Sequence, residues 1–257
     1  MQTVSQSAFS FKKIVLAMSV LVCILAIGAR AQGGIAEYNK GLDAFNKQNY
    51  AVAMTDFKQA VAKGNSDAMR DIGLLYESGS GVTKNYVQAM QWYQKAVDKD
   101  NDGAMVDIGL MYESGSGVKK DFAKAMQWYQ KAADKGNDNA MGLIGLLYES
   151  GEGVTVDYAQ AMQWFQKAAD KGNDNAMYAI GLLYESGSGV TKDYIQAMQW
   201  YQKAAAKGND IAMDNIGGLY ADGNGVTKNL DTAIVWWKKA AALGNQDAID
   251  ALKKNGK

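Results

Sequence analysis

The sequence predicts an all-α protein built as a solenoid of helix-turn-helix repeats, and three observations carry that expectation. Segments 65–100, 101–136, 137–172, 173–208 and 209–244 align without gaps at a period of 36 residues. Within each segment the apolar residues fall at steps of three and four, the spacing of one face of a helix. A short glycine-rich stretch separates two such amphipathic halves in every copy.

Taken from the N-terminus, residues 1–31 carry Lys12, Lys13 and Arg30 and no acid. A basic pair, an apolar run from Ile14 to Ile27 and the small residues of Ala29-Arg30-Ala31 predict a signal peptide cleaved before Gln32. Fourteen residues at about 1.5 Å each fall short of roughly 30 Å of hydrocarbon, so no stable membrane span is expected after cleavage. Leu21-Val22 before Cys23 is unlike a lipoprotein signal, and the mature chain is left without cysteine and with a net charge of −3. Export to the periplasm or beyond is the expected destination, with stability coming from packing rather than disulfides.

Residues 32–64 form a first, shorter unit in which Gly41 and Ala53 are 12 apart, against 16 for Gly73 and Ala89. In the repeats of 65–244, Ala68, Met69, Ile72, Gly73 and Tyr76 mark helix A, and Asn65, Asn101, Asn137, Asn173 and Asn209 stand where an N-cap is needed. Tyr86, Ala89, Met90, Tyr93, Ala96 and Val97, widened by Trp92, mark helix B, stopped in later copies by Gly136, Gly172, Gly208 and Gly244. Ser78-Gly79-Ser80-Gly81-Val82 joins the two, with glycines for positive φ and a valine that docks on the core. Gln88, Gln91 and Lys95 fall on the solvent side of helix B. Residues 245–257 close the array with a polar, Lys-rich capping helix.

Ala-Met, Gly73, Leu75-Tyr76, Gly79-Ser80-Gly81-Val82, Tyr86, Ala89, Trp92-Tyr93 and Lys95-Ala96 together resemble the Sel-one-like repeat (SLR), a relative of the tetratricopeptide repeat (TPR). The first unit resembles a plain tetratricopeptide repeat acting as an N-terminal cap. The resemblance covers essentially the whole mature chain and implies a right-handed superhelix whose work is protein-protein interaction, as a scaffold or adaptor without catalysis or cofactor.

Composition narrows the chemistry independently. With no histidine, and no cysteine after residue 31, imidazole bases, Ser-His-Asp triads and His/Cys zinc sites are excluded. A weak net charge with no Lys/Arg block gives no footprint for nucleic acid. A cysteine-rich bacterial branch of the resembled family includes members that bind or hydrolyse β-lactams, which makes an envelope binder or weak hydrolase of peptidoglycan or β-lactams the alternative function. Ser116-Gly117-Val118-Lys119 does match S-x-x-K, but the other copies have Thr in place of Lys119, and the match falls in a loop rather than at a helix start. The glycine loops lack the order of a phosphate-binding loop, and the Asp/Asn runs lack the ligand spacing of a calcium loop, so no metal is expected. Glutamates at one repeat position are too regular to be the paired acids of a glycosidase.

Partner recognition is expected where the copies differ. Beside the core stripe of helix A runs a second one, Asp67, Arg70, Leu74 and Glu77, which by the resemblance lines the concave groove. Its second position reads Arg70, Val106, Gly142, Tyr178 and Asp214. Its third reads Leu74, Leu110, Leu146 and Leu182, then Gly218, and its fourth carries Glu77, Glu113, Glu149 and Glu185. The expectation is an apolar floor with an acidic rim that binds a protein or peptide segment carrying apolar and basic residues, with Leu and Tyr178 supplying most of the buried area.

Overall fold

The computed structural model describes residues 33–256; the expected signal peptide of residues 1–31 lies outside them, as do Gln32 and Lys257. Among the described residues there are thirteen α-helices and no strand, and successive helices within a compact unit pack against one another. The chain divides into two compact units at Asn137/Asp138.

The first unit holds α1 (Ile35–Asn46), α2 (Tyr50–Ala62), α3 (Ser66–Ser78), α4 (Tyr86–Val97), α5 (Asp102–Ser114) and α6 (Phe122–Asp134). The second holds α7 (Asp138–Ser150), α8 (Tyr158–Asp170), α9 (Asp174–Ser186), α10 (Tyr194–Ala206), α11 (Asp210–Asp222), α12 (Leu230–Ala242) and α13 (Gln246–Lys254). Odd-numbered helices from α3 to α11 are the A helices and even-numbered helices from α4 to α12 the B helices. The α1–α2 pair turns in three residues, Lys47 to Asn49, whereas α3 and α4 are joined by the glycine loop from Gly79 to Asn85.

Local chemistry sets these boundaries. The Oδ1 atoms of Asn65, Asn101, Asn173, Asn209 and Asn245 accept from the backbone N–H three residues on, at 2.8–2.9 Å, satisfying a donor that the first turn leaves unpaired. The B helices are capped the same way by a second series, Asn85, Asp121, Asp157, Asp193 and Asn229. Gly79 ends α3 at φ 78° and Gly81 follows at φ 71°, so both take the left-handed conformation the loop requires. Val82 docks back against the core formed by α1, α2 and α3, as expected. Where later copies have the stop glycine after helix B, the first has Asp100, held at φ 66°.

Each A helix meets its own B helix through a glycine. A Cβ placed on Gly73 or Gly109 would lie 2.3–2.6 Å from ring atoms of Tyr93 or Tyr129, so the ring occupies the space a side chain would fill. The same approach joins Gly145 to Phe165, Gly181 to Tyr201 and Gly217 to Trp237 in the second unit. This contact buries Tyr93, Tyr129, Phe165 and Tyr201 completely.

Neighbouring repeats are tied by the same Asn side chains that cap the A helices. Asn101 donates its Nδ2 to Asp67 at 2.7 Å and to Ser66 at 3.2 Å, one period back, and Asn137 donates to Asp102 at 2.9 Å. In the second unit Asn173, Asn209 and Asn245 reach Asp138, Asp174 and Asp210 at 2.9–3.1 Å. On the B helices, Lys95, Lys131, Lys167, Lys203 and Lys239 lie 3.6–4.1 Å over the rings of Trp92, Trp128, Trp164, Trp200 and Trp236. Lys95, read from sequence as a simple solvent-facing residue, thus also covers an aromatic face. The closing helix α13 seats Ala248 and Leu252 against α12.

Candidate functional site

The second stripe of the A helices is built differently in the two units. In the first, α3 presents Arg70, Leu74 and Glu77, and α5 presents Val106, Leu110 and Glu113. Leu74 and Leu110 remain half-exposed, while Val106 is buried. Arg70 is engaged internally: its Nε donates to Asp107 Oδ2 at 2.5 Å and its Nη2 to Asp107 Oδ1 at 3.2 Å. Asp107 is only 2% exposed, so this bidentate pair holds an otherwise costly buried carboxylate.

The glutamates turn inward rather than forming an open rim. The Tyr93 hydroxyl donates to Glu77 Oε2 at 2.5 Å and the Tyr129 hydroxyl to Glu113 Oε2 at 2.8 Å, each bond linking an A helix to its B helix. Burial raises the Glu77 carboxyl above its ordinary value despite the hydroxyl.

In the second unit α7 carries Gly142, Leu146 and Glu149, α9 carries Tyr178, Leu182 and Glu185, and α11 carries Asp214 and Gly218. Leu182 is half-exposed, but Leu146 and Tyr178 are 5% and 8% exposed. Little of either remains for a partner to cover, which departs from the expectation that they supply the contact area. Tyr178 stacks at 5.7 Å on Tyr201 and sits beside the Asn215 side chain. Tyr201 donates to Glu185 Oε2 at 2.5 Å, repeating the first unit's bond.

Glu149 breaks the series. The residue sixteen on is Phe165, so the ring is in place but the hydroxyl is missing. Burial alone raises its carboxyl to about 7. Asp214 is likewise raised to about 6, by burial first and then by the charges of Asp247 and Asp210. The sequence signal for this break was the aromatic phase Tyr93, Tyr129, Phe165, Tyr201, Trp237; Asp107 and Asn215 gave no comparable signal.

The S-x-x-K match has a structural explanation. The Ser114 hydroxyl donates to Ser116 Oγ at 2.8 Å, and the Ser116 N–H returns to Ser114 Oγ at 3.2 Å. Ser78–Ser80 and Ser186–Ser188 make the same bonds in copies with no Lys at the fourth position. Among the described residues no cluster of acids could hold a metal ion, and no helix is long and apolar enough to cross a membrane.

The Sel1 repeat family model matches residues 66–101, 103–137, 139–173, 174–209 and 210–245. The chain belongs to the Sel1 repeat family. A Sel1 repeat protein from Oxalobacter formigenes is 38% identical, with a TM-score of 0.76 over 84% of this chain and 88% of that one. c5321, described as a protective antigen of uropathogenic Escherichia coli with an SLR fold, is 33% identical with a TM-score of 0.69. That match covers 85% of this Sel1 chain and spans about half of c5321, 48% of its length. The immunity protein PA5088 from Pseudomonas aeruginosa shares the fold at 20% identity and a TM-score of 0.64, over 86% of this chain and 85% of that one. Among curated proteins none matches. Sel1 repeats generally serve as protein-interaction modules, and the helical-repeat architecture here agrees with that membership.

Proposed function

We propose that this Sel1 repeat protein is an exported, non-catalytic scaffold that binds a segment of a partner protein along its A helices. The observation that carries the reading is the leucine row: Leu74 and Leu110 in the first unit and Leu182 in the second stay half-exposed at one repeat position. The apolar residues of the neighbouring core stripe, such as Ile72, Ile108 and Ile180, are fully buried. Apolar side chains left accessible in phase, beside a position whose identity changes from Arg70 to Val106 and from Gly142 to Tyr178 to Asp214, suit recognition by an element that is itself periodic. The leader composition of residues 1–31 supports periplasmic or secreted localisation.

Site-specific photo-cross-linkers at positions 110 and 182, with position 91 on a B helix as reference, test the reading in the native envelope. Partner capture is expected from 110 and from 182, each within its own unit, and not from 91, with capture reduced about tenfold or more at each position by Leu110→Asn or Leu182→Asn respectively. Equal capture from position 91 would assign the partner to another face. The N-terminal residue of the purified protein is expected to be Gln32.

A further inference from the structure

Resting on the reading of the A-helix face as the partner-binding surface, we infer that the second unit holds a subsite for one Lys or Arg side chain of the partner, seated against the Glu149 carboxylate. Four glutamates occupy this repeat position, and three are satisfied from within by a tyrosine hydroxyl: Glu77 by Tyr93, Glu113 by Tyr129 and Glu185 by Tyr201. Phe165 withholds that donor from Glu149 alone, and desolvation is the sole influence that shifts its carboxyl. A partly buried carboxyl with no hydrogen-bonding partner inside the chain is left to solvent for its hydrogen bonds, at a position where the protein supplies a hydroxyl three times over.

Two further features point to a cation as the occupant. One is space: Gly142, two turns before Glu149 on the same face of α7, is buried, yet a Cβ there would meet nothing within 4 Å. Its in-phase counterparts carry side chains in every other repeat, namely Arg70, Val106, Tyr178 and Asp214. An incoming side chain therefore finds room for its aliphatic stem where the protein has removed its own.

The other feature is charge. The first unit places Arg70 against Asp107, but Glu149, Glu185 and Asp214 are paired with no Lys or Arg in the second unit. The second unit's face is therefore acidic and uncompensated, and a guanidinium or ammonium group supplies the missing donor and the missing charge together. An anionic or purely apolar segment would leave Glu149 buried beneath it without a partner.

The test uses two blocked tripeptides, acetyl-Leu-Arg-Leu-amide and the same peptide with citrulline, which keeps the shape of arginine and removes its charge. Binding is followed by NMR chemical-shift titration of the purified protein. The arginine peptide is expected to bind roughly tenfold more tightly than the citrulline peptide. Glu149→Gln should abolish that ratio, and Phe165→Tyr, which restores the hydroxyl, should shrink it, whereas Glu185→Gln should leave it intact. Equal binding of both peptides overturns the cationic subsite; if Leu182→Asn then weakens both, the A-helix reading stands without it. Absence of binding by either peptide, or an unchanged ratio in Glu149→Gln, also overturns the subsite. Cross-linking of the native partner through positions 110 and 182 decides the underlying reading separately. A melting curve of Glu149→Gln at pH 8 guards against misfolding, since removing the charge should not lower its midpoint.

Discussion

At the scale of single residues, the molecule is governed by contacts that leave no slack. Gly109 is pressed against Tyr129 so closely that Gly109→Ala must displace the ring or separate α5 from α6. A loss of about 1–3 kcal/mol is expected from urea unfolding, while alanine at Gly208, where an added Cβ meets nothing, costs only the strain of its φ of 97°. Glu149 gives a pH dependence of definite sign. Its carboxyl is near 7 in the folded chain and ordinarily 4.5, so between those values the folded state holds the extra proton. The associated stability is complete below about pH 4.5 and is lost as pH rises toward 7, on the order of 3 kcal/mol in all. Glu149→Gln should therefore flatten the melting temperature between pH 5 and pH 8 and raise it at pH 8. A steeper pH dependence in the variant would contradict the assignment of this carboxyl.

At the scale of elements, helix boundaries were largely legible because they are set by residues close in sequence. The A-helix asparagines and the stop glycines both do what their types and positions imply. Asp100 at φ 66° shows that the stop needs a left-handed residue rather than a glycine as such. Bonds between elements were not legible: Arg70 meets Asp107 one period and one residue away, and Tyr93 meets Glu77 across two helices, neither of which follows from the periodicity of one helix. The leucine row and the glutamates were identified as a stripe, but their depth was not, because burial of Leu146 and Tyr178 depends on the packing around them. Asparagines can be graded by the number of elements they serve. Asn85 caps α4 alone, whereas Asn101 caps α5 and also bonds Ser66 and Asp67 on α3. Asn85→Ala should cost about 1 kcal/mol and Asn101→Ala about 1 kcal/mol more, measured by chemical denaturation.

For the whole molecule, sequence composition and repeat phase together restrict function more than either does alone. A chain with no imidazole, whose one serine-lysine spacing after residue 31 lies in a loop hydrogen-bonded like its lysine-free counterparts, is expected to turn over no nitrocefin above buffer. Ser116→Ala should leave that baseline unchanged, and turnover abolished by the substitution would refute the non-catalytic reading. Stability in such an array is approximately the sum of each repeat and its two junctions, so damage at one junction should broaden the unfolding transition rather than shift it as a block. The asparagine that caps one helix while holding the previous one has a genetic corollary. Excising residues 174–209 in frame joins Asn173 directly to Asp210 and Ala212, the neighbours Asn209 had, so the splice restores an equivalent junction. Copy number in the second unit is therefore free to drift through recombination while its seams keep the same Asn–Asp pairing.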